Sequence, residues 1–426
     1  MTPRAAPRGA RLADVTAPDP APVTLADIEA VRPVVMQLAR TTPVRSARWL
    51  ADRVGGPVWL KCENLQRAGS FKVRGAFARL SRLTADECAA GVVAASAGNH
   101  AQGVAVSAQA LGIRATVFMP HGAPIPKVLA TQGYGADVRF HGTSVDDCVE
   151  AARDFSATTG AVFVHPFDHP DVVAGQGTVG LEIVEQVPDV RTVVVCTGGG
   201  GLLAGVALAV RGLRPDVRVV GVQAEGAAAW PASLAAGRPL PLASMSTMAD
   251  GIAVGRPGDV PFAVVPEQVA EVRTVGEDAL ARALLLCLER SKLVVEPAGV
   301  AAVAAVLADP GAFEPPVVAV LSGGNVDPLL LLRVIRHGMT SAGRYLSVRL
   351  VVPDRPGSLA ALLAELGEAD ANVVEVEHRR THPRLSVDEV EIAVQLETRG
   401  PAHCAAVLER LQARGYRPDV VGEVTL

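Results

Sequence analysis

Short runs of β-branched and apolar residues alternate with helical stretches from about residue 57 to residue 321. The clearest helical stretch has apolar side chains at the i, i+3, i+4 and i+7 positions, which are Val73, Ala76, Phe77 and Leu80. The runs predicted as strands are Pro57–Lys61, Gly91–Ala95, Arg114–Phe118, Asp137–Phe140, Val162–His165, Thr192–Cys196, Val217–Gln223 and Val317–Leu321. This alternation predicts an α/β fold with a mostly parallel sheet covered by helices on both faces.

The pattern changes after about residue 344. Apolar and polar positions then alternate along Leu346–Val352 and Val390–Glu397, while Val374 and Val376 alternate with glutamates. Ser358 is predicted to cap a helix, a second helix is predicted over about 401–414, and a last strand is predicted near 416–421. The order β-α-β-β-α-β with one polar sheet face predicts a small ferredoxin-like unit.

Composition and charge narrow the classes of function. The chain has 426 residues, of which 49% are hydrophobic, and a net charge of −4, so we expect several globular cores and no nucleic-acid partner. No apolar run reaches the length of a membrane span, and the six cysteines form no CxxC pair. These features predict a cytoplasmic protein with reduced thiols and no metal cluster. Residues 1–22 are rich in Ala and Pro and are predicted to be disordered.

Lys72 lies in the segment Ser70-Phe71-Lys72-Val73-Arg74-Gly75. We predict that Ser70 caps the helix that follows, which would place Lys72 in its first turn. The positive end of the helix dipole there favours a neutral amine, the form that condenses with an aldehyde. Taken alone, however, Lys72 is more readily interpreted as a surface lysine, since most lysines are solvated.

Four successive glycines, Gly198–Gly201, separate an apolar strand from a predicted helix. Backbone amides at such a turn can converge on a phosphate group. Together with Lys72, the turn is what a pyridoxal phosphate enzyme requires. The segment Gly199–Ala204 also matches the dinucleotide fingerprint, with Glu225 at the ribose-binding position, so an NAD-dependent oxidoreductase stays an alternative.

Two further polar turns follow predicted strands. Ser96-Ala97-Gly98-Asn99-His100 places small polar groups at a helix start, which suits a carboxylate, and Asn99 could donate to a ring oxygen. Ser322-Gly323-Gly324-Asn325 offers a serine that could hydrogen-bond a ring nitrogen. Each turn taken alone reads equally as an ordinary strand-to-helix connection.

The order S-F-K-x-R-G, S-A-G-N-H, G-G-G-G-L and S-G-G-N resembles that of the fold-type II pyridoxal phosphate enzymes, and within them it is most similar to the threonine ammonia-lyase (threonine dehydratase) family. The segments Glu63–Gln66, Asp250–Val254 and Glu296–Gly299 also resemble that family. The resemblance implies two open, mostly parallel α/β sheets with the site between them, in a catalytic domain over 23–340. Residues 345–426 resemble one ACT domain, a regulatory module that commonly binds amino acids.

The resemblance also implies roles for individual residues. Lys72 would be the Schiff-base lysine, Phe71 would pack near the cofactor ring, and Ser322 would contact the pyridine nitrogen. Asn99 would contact the ring hydroxyl. The glycine turn with Leu202 would bind the phosphate, that is, Gly198, Gly199, Gly200, Gly201 and Leu202. The loop expected to take the substrate carboxylate is Ser96, Ala97, Gly98, Asn99 and His100.

The residue types at positions 97 and 225 differ among enzymes of this fold and bear on the reaction and on metal binding. Serine racemases of this fold have a serine at the position of Ala97 as a second acid–base group, so alanine there implies elimination. Some relatives bind a cation through a glutamate matching Glu225 and an aspartate six residues later, where this chain has Pro231. We therefore expect no metal, with Glu225 as the one candidate ligand.

The resemblance implies a threonine ammonia-lyase that converts L-threonine, and also L-serine, to the 2-oxoacid and ammonia. A serine ammonia-lyase or racemase of the same fold stays the alternative within the family. An amino-acid effector is expected at the ACT domain, and we expect a homo-oligomer, either a dimer or a tetramer.

Overall fold

In the computed structural model, residues 23–380 and 385–421 are described, and within them fourteen β-strands form three sheets. The strands are β1 Val44–Ser46, β2 Val58–Cys62, β3 Val92–Ala95, β4 Ala115–Met119, β5 Asp137–Phe140, β6 Val162–Phe163, β7 Thr192–Cys196, β8 Arg218–Ala224, β9 Glu271–Val275, β10 Val317–Leu321, β11 Tyr345–Pro353, β12 Asn372–Arg379, β13 Glu389–Glu397 and β14 Asp419–Val420. The predicted tail 1–22 lies outside the described residues.

The α-helices of the described residues connect and cover these strands. They are α1 Leu25–Val35, α2 Arg48–Val54, α3 Lys72–Leu80, α4 Ala85–Ala90, α5 Asn99–Leu111, α6 Ile125–Gly133, α7 Val145–Thr159, α8 Pro170–Gln186, α9 Gly201–Leu213, α10 Ala229–Ala236, α11 Asp259–Phe262, α12 Val265–Gln268, α13 Glu277–Leu286, α14 Ala301–Ala308, α15 Pro328–Ser341, α16 Ser358–Glu368 and α17 Pro401–Ala413. None of them combines the length and the apolar character that a membrane crossing requires.

Two open sheets form the first three quarters of the chain. The larger sheet has the order β1-β2-β10-β7-β8-β9, and the smaller has the order β5-β4-β3-β6. All neighbouring strands are parallel except β1, which pairs antiparallel with β2. Strands β7 and β10 are buried along their whole length, as expected for strands covered on both faces. The predicted fold class is confirmed.

The predicted strands are all present, with ends shifted by up to three residues, but two strands were missed. Strand β1 has only three residues, and strand β9 has polar residues at three of its five positions, as Glu271-Val272-Arg273-Thr274-Val275. Both are edge strands of the larger sheet. Because an edge strand is only partly covered, it lacks the continuous apolar run that identified the central strands.

Helices α8 and α9 pack at unusually close range beside the larger sheet. A Cβ atom placed on Gly205 would lie 2.4 Å from the carbonyl oxygen of Val173, and one on Gly177 would lie 2.9 Å from the carbonyl oxygen of Gly205. The missing side chains therefore let the two backbones touch. This contact fixes α9, the helix whose first turn faces the candidate site.

The third sheet, with the order β12-β13-β11-β14, is entirely antiparallel. Its buried face packs on α16 and α17, with a core that includes Leu346, Val348, Leu362, Ile392, Val394 and Val407. This arrangement agrees with the predicted β-α-β-β-α-β unit.

Two local predictions in this unit were wrong. The residue before the first turn of α16 is Gly357, at φ +91°, so Ser358 is the first helical residue rather than the cap. A register shift between Val373 and Glu375 leaves Val374 53% exposed, while Val373 and Val376 pack against the core. Such a bulge turns the strand, so the alternation seen in the sequence does not give the facing of Val374.

Candidate active site

A cavity of about 880 Å³ lies between the two open sheets, where loops follow β3, β7 and β10. Its volume lies within the range of roughly 300–1,000 Å³ that is usual for small-molecule sites. All the residues predicted for the cofactor and the substrate line this cavity: Phe71, Lys72, Ser96, Ala97, Gly98, Asn99, His100, Gly198, Gly199, Gly200, Gly201, Leu202 and Ser322. Glu225, the acid of the dinucleotide interpretation, lies outside it.

Lys72 is the first residue of α3, so its backbone position matches the prediction. The cap does not, because the N-cap residue is Phe71, and the Ser70 hydroxyl is buried without a hydrogen-bond partner among the described residues. The Lys72 ammonium donates to the carbonyl oxygen of Pro166 at 2.8 Å and lies 5.3 Å from the centre of the Phe71 ring. Burial lowers the pKa of Lys72 to about 8, which favours the neutral amine.

The chain's other lysines have different surroundings. Lys61 is fully buried and bonded to Glu182, Lys127 pairs with Asp250, and Lys292 donates to the backbone carbonyl of Glu289. Lys72 alone among the lysines both lines the cavity and has a carbonyl rather than a carboxylate as its hydrogen-bond partner.

The glycine turn leads from β7 into α9, with Gly200 at φ +101° as the N-cap residue. A Cβ atom on Gly199 would lie 2.3 Å from the ring of Phe167, and one on Gly200 would lie 2.4 Å from the ring of Trp230. The Trp230 indole donates to the carbonyl oxygen of Gly198 at 2.8 Å and holds the turn from behind. Because the first N–H groups of a helix have no intrahelical partner, this turn presents amide donors to the cavity and fits a phosphate group.

The loop Ser96–His100 leads from β3 into α5, which begins at Asn99. The Gly98 amide donates to the Ser96 hydroxyl at 3.1 Å, so this serine shapes the turn. The His100 ring is buried, with Nε2 2.8 Å from the carbonyl oxygen of Val164, and burial lowers its pKa to about 3. His100 is therefore a neutral ring tied to the backbone at the edge of the cavity.

Ser322 follows β10 and lines the cavity. Its hydroxyl oxygen accepts a hydrogen bond from the Cys196 thiol at 3.1 Å, and its carbonyl oxygen accepts one from the Phe71 amide at 3.1 Å. Burial raises the pKa of Cys196 to about 11, so the thiol keeps its proton and remains the donor. This leaves the Ser322 hydroxyl proton available for a ring nitrogen in the cavity.

Among the charged residues that line the cavity, Glu296, Asp250 and Lys127 were missed as site residues. Glu296 is buried, and burial together with the nearby charge of Asp250 raises its pKa to about 7. Lys127, in α6, donates to the Asp250 carboxylate at 2.6 Å and so joins the smaller-sheet side to the larger-sheet side. Glu296 and Asp250 stood in segments that were quoted for their resemblance. No local pattern marked Lys127, because it lies in an ordinary helix start.

A buried charge cluster anchors α3 from its other side. Arg74 donates to both oxygens of Glu63 at 2.8 Å and to Glu182 at 2.7 Å. Lys61 also bonds Glu182, so two positive and two negative groups meet in one buried place. The cluster fixes the helix turn on which Lys72 lies.

Glu225 was the one candidate for a metal ligand. It lies in the short 3₁₀ turn Glu225–Ala227 that follows β8, and it is exposed. Within residues 23–380 and 385–421, no group of three or more His, Cys, Asp or Glu side chains is placed to hold a metal ion.

Comparison with known proteins supports the geometry. The chain matches the model of the pyridoxal-phosphate-dependent enzyme family over residues 35–323 and that of the ACT domain over residues 346–415. It is 44% identical over 400 residues to an L-threonine ammonia-lyase of Thermotoga maritima, which covers 94% of this chain and 100% of the relative.

Solved structures agree with this placement. The processed form of threonine deaminase isoform 2 from Solanum lycopersicum has a TM-score of 0.71 at 34% identity, over 76% of this chain and 98% of that one. Maize serine racemase has a TM-score of 0.70 at 35% identity, and the match covers 73% of this chain and 96% of the racemase. The chain therefore belongs to the family of pyridoxal-phosphate-dependent enzymes, has pyridoxal phosphate as its cofactor and ends in an ACT domain.

Proposed function

We propose that the protein is a threonine ammonia-lyase, which eliminates the β-hydroxyl group of L-threonine, and of L-serine, to give 2-oxobutanoate or pyruvate and ammonia. The observation that carries the proposal is the convergence on one cavity of the Lys72 amine, the glycine turn at α9 and the Ser96–Asn99 loop. The 44% identity to the Thermotoga maritima L-threonine ammonia-lyase supports the choice of substrate.

The cavity offers a separate group for each part of pyridoxal phosphate. The turn Gly198–Gly201, with the Leu202 amide, would hold the phosphate, Lys72 would bond to the aldehyde, and Ser322 would donate to the ring nitrogen. Asn99 would donate to the ring hydroxyl, and Phe71 would pack beside the ring. When bound, the cofactor withdraws electrons from the substrate Cα and makes its proton acidic.

Lys72 is the base that would take the Cα proton. An amine removes a proton only when it is neutral, and burial lowers the pKa of Lys72 to about 8, close to the range in which the neutral form is well populated. Its hydrogen bond goes to the Pro166 carbonyl and not to a carboxylate. The nearby charge of Glu296 raises the pKa of Lys72, but burial outweighs it.

Ser322 and Ala97 favour elimination over racemisation. A serine hydroxyl is neutral and cannot hold a proton on the ring nitrogen as strongly as a carboxylate can, so loss of the β-hydroxyl competes with return of the Cα proton. Ala97 lines the cavity at the position where racemases of this fold have a serine. A methyl group cannot return a proton from the opposite face.

The proposal is tested by supplying the purified full-length protein with L-threonine and L-serine and measuring 2-oxoacid, ammonia and D-serine. We expect 2-oxobutanoate from threonine, pyruvate from serine, and D-serine as a minor product at most. The matched variant Ala97→Ser should raise the D-serine fraction. A wild-type protein that makes D-serine faster than pyruvate would instead be a racemase, and one without 2-oxoacid product would overturn the proposal.

We assign catalysis to residues 23–340 and amino-acid sensing to the ACT region 345–426. The regions are covalently continuous through α15, and Arg344 forms an ion pair with Glu289 of the catalytic part. Isoleucine or valine bound to the ACT region could bias the catalytic part through this junction. Titrating the full chain and a chain lacking 345–426 with both amino acids tests the assignment, because undiminished inhibition of the shortened chain would contradict it.

A cytoplasmic location and a homo-oligomeric state complete the proposal. The six cysteines are all free thiols in the structure, which agrees with a reducing compartment. Antiparallel edge strands such as β12 pair readily with another copy, so we expect a dimer or a tetramer, with small amino acids rather than nucleic acid as the ligands.

A further inference from the structure

The Asn99 side chain is bonded at both ends of its amide. Its Nδ2 donates to Glu296 Oε1 at 2.5 Å, and its Oδ1 accepts from Asn325 Nδ2 at 2.9 Å. Asn325 Nδ2 also donates to the carbonyl oxygen of Ala68 at 2.7 Å. A single chain of hydrogen bonds therefore runs from the backbone before α3, through two asparagines, to a buried carboxyl group.

Two glycines make the room for this chain. A Cβ atom on Gly323 would lie 2.3 Å from Glu296 Oε1 and 3.0 Å from Asn99 Nδ2, and one on Gly69 would lie 2.2 Å from Asn325 Oδ1. The distances of 2.3 Å and 2.2 Å are too short for a real Cβ atom unless the neighbouring side chains move. The absence of a side chain at Gly323 and at Gly69 therefore leaves space for Glu296 and Asn325, the two partners of Asn99.

The chain of hydrogen bonds allows only one orientation of the Asn99 amide. The Ala68 carbonyl can only accept, so Asn325 must turn its NH₂ group toward it and toward Asn99. If the Asn99 amide were flipped, its oxygen would face a carboxyl oxygen and its nitrogen would face another NH₂ group. In the orientation shown, the second N–H of Asn99 Nδ2 takes no part in this series of hydrogen bonds. Asn99 lines the cavity, so this N–H is left for a ligand there.

We propose that Glu296 and Asn325 are positioning residues that fix the Asn99 amide so that its remaining N–H is directed at the cofactor. The inference rests on the proposed function, because it assumes that Asn99 meets the cofactor ring hydroxyl. It assigns a use to the buried carboxyl of Glu296 and to the last residue of the Ser322–Asn325 turn, neither of which takes part in the mechanism above. Glu296 is 3% exposed, so its contact with Asn99 is sheltered from competing water.

A double-mutant cycle on the full-length protein tests the proposal. The single variants are Glu296→Ala, Asn325→Ala and Asn99→Ala, and the two double variants combine Asn99→Ala with each of the other two. Pyridoxal phosphate is titrated into each ligand-free variant, and visible absorbance reports the affinity and the position of the absorption band. Each single variant should bind the cofactor about tenfold more weakly or worse and shift the band. Each double should bind no more weakly than Asn99→Ala alone, since both residues act through Asn99.

Two isosteric variants keep the test decisive if the alanine variants do not fold. Glu296→Gln retains an acceptor oxygen and should keep most of the affinity, whereas Asn325→Asp sets an acceptor against Asn99 Oδ1 and should lose more affinity than Glu296→Gln. Glu391→Gln is the matched control. It alters a carboxylate that is 9% exposed in β13 and lies outside the cavity, and it should leave both the affinity and the visible band unchanged.

The proposal is overturned if the losses in the double variants add, or if Glu296→Gln and Asn325→Asp leave both affinity and band unchanged. Turnover of L-threonine by the wild-type protein is measured in parallel. Coupled losses in a protein that does not turn over threonine would reject the proposed function and uphold the positioning role.

Discussion

Two basic residues on opposite sides of α3 have pKa values that are shifted in opposite directions. Lys72 and Arg74 are two positions apart, so their side chains leave the helix about 200° apart. Lys72 faces the cavity with a carbonyl as its partner, and burial lowers its pKa to about 8. Arg74 faces the interior, where Glu63 and Glu182 more than offset the effect of burial and raise its pKa above the ordinary value.

The difference shows that the surroundings of a buried basic group decide whether it stabilises the fold or becomes reactive. A buried charge with well-placed opposite charges holds elements together, and its loss leaves those partners uncompensated. A buried charge without such partners is destabilised and tends to lose its proton, which is what a base requires. One short motif supplies both, and the helix period separates them.

Removing the Lys72 amine should have the largest effect on activity. Lys72→Ala deletes the amine and should lower turnover by at least about 10⁴-fold, the upper end of the contribution of one acid–base group, and abolish the visible absorbance of bound cofactor. Absorbance spectra and 2-oxoacid assays measure both. Lys292→Arg, which changes an exposed lysine, should retain both properties. A Lys72→Ala protein that kept both properties would contradict the assignment.

Removing the structural side should affect stability first. Arg74→Met removes the positive partner of Glu63 in the interior and leaves Glu182 with Lys61 alone, so it should lower the free energy of unfolding by about 3–5 kcal/mol. Denaturant unfolding of the ligand-free protein measures this. As a control, Arg399→Met breaks an exposed pair with Asp370 and should change stability by less than about 1 kcal/mol. Equal effects in the two variants would remove the contrast between the two sides of α3.

The pH dependence of cofactor capture sharpens the comparison. In the proposed role, Lys72 attacks the aldehyde only as a neutral amine, so the rate of covalent capture by ligand-free protein should rise with pH and level off above about 8. Below that pH it should fall about tenfold per unit, as the neutral fraction does. Stopped-flow absorbance gives the profile, and Nα-acetyl-lysine under the same conditions corrects for titration of the cofactor itself. A protein profile that coincides with that of the free amine would refute the lowered pKa.

The smallest effect concerns the stability contribution of Lys72. Its folded pKa, about 8, is below the value of 10.5 for an ordinary lysine, so the unfolded state binds more protons between these two pH values. Stability of the ligand-free protein should therefore rise with pH across that window, and Lys72→Met should remove the slope. At pH 7 the variant should be at least as stable as the wild type. Thermal unfolding at a series of pH values decides, and a loss of stability at pH 7 would count against the lowered pKa.

Much of the fold could be predicted because it follows from local patterns. Continuous apolar runs identified the central strands β3, β7 and β10, and the i, i+3, i+4, i+7 pattern identified the buried face of α3. The edge strands β1 and β9 escaped, because a partly exposed strand has no such run. The cap at Ser358 and the facing of Val374 failed because a left-handed glycine and a bulge depend on backbone geometry that residue type does not fix.

The sequence by itself determined the chemistry-bearing loops, since Lys72, the turn Gly198–Gly201 and Ser322 are contiguous motifs that end at strand or helix boundaries. Only the tertiary structure decided which charges meet. Glu182 lies 108 residues from Arg74 in the chain, and Glu296 and Asn325 lie 197 and 226 residues from Asn99. A pKa or an amide orientation depends on groups within a few ångströms in space, and those neighbours are assembled by packing between elements that no local pattern encodes.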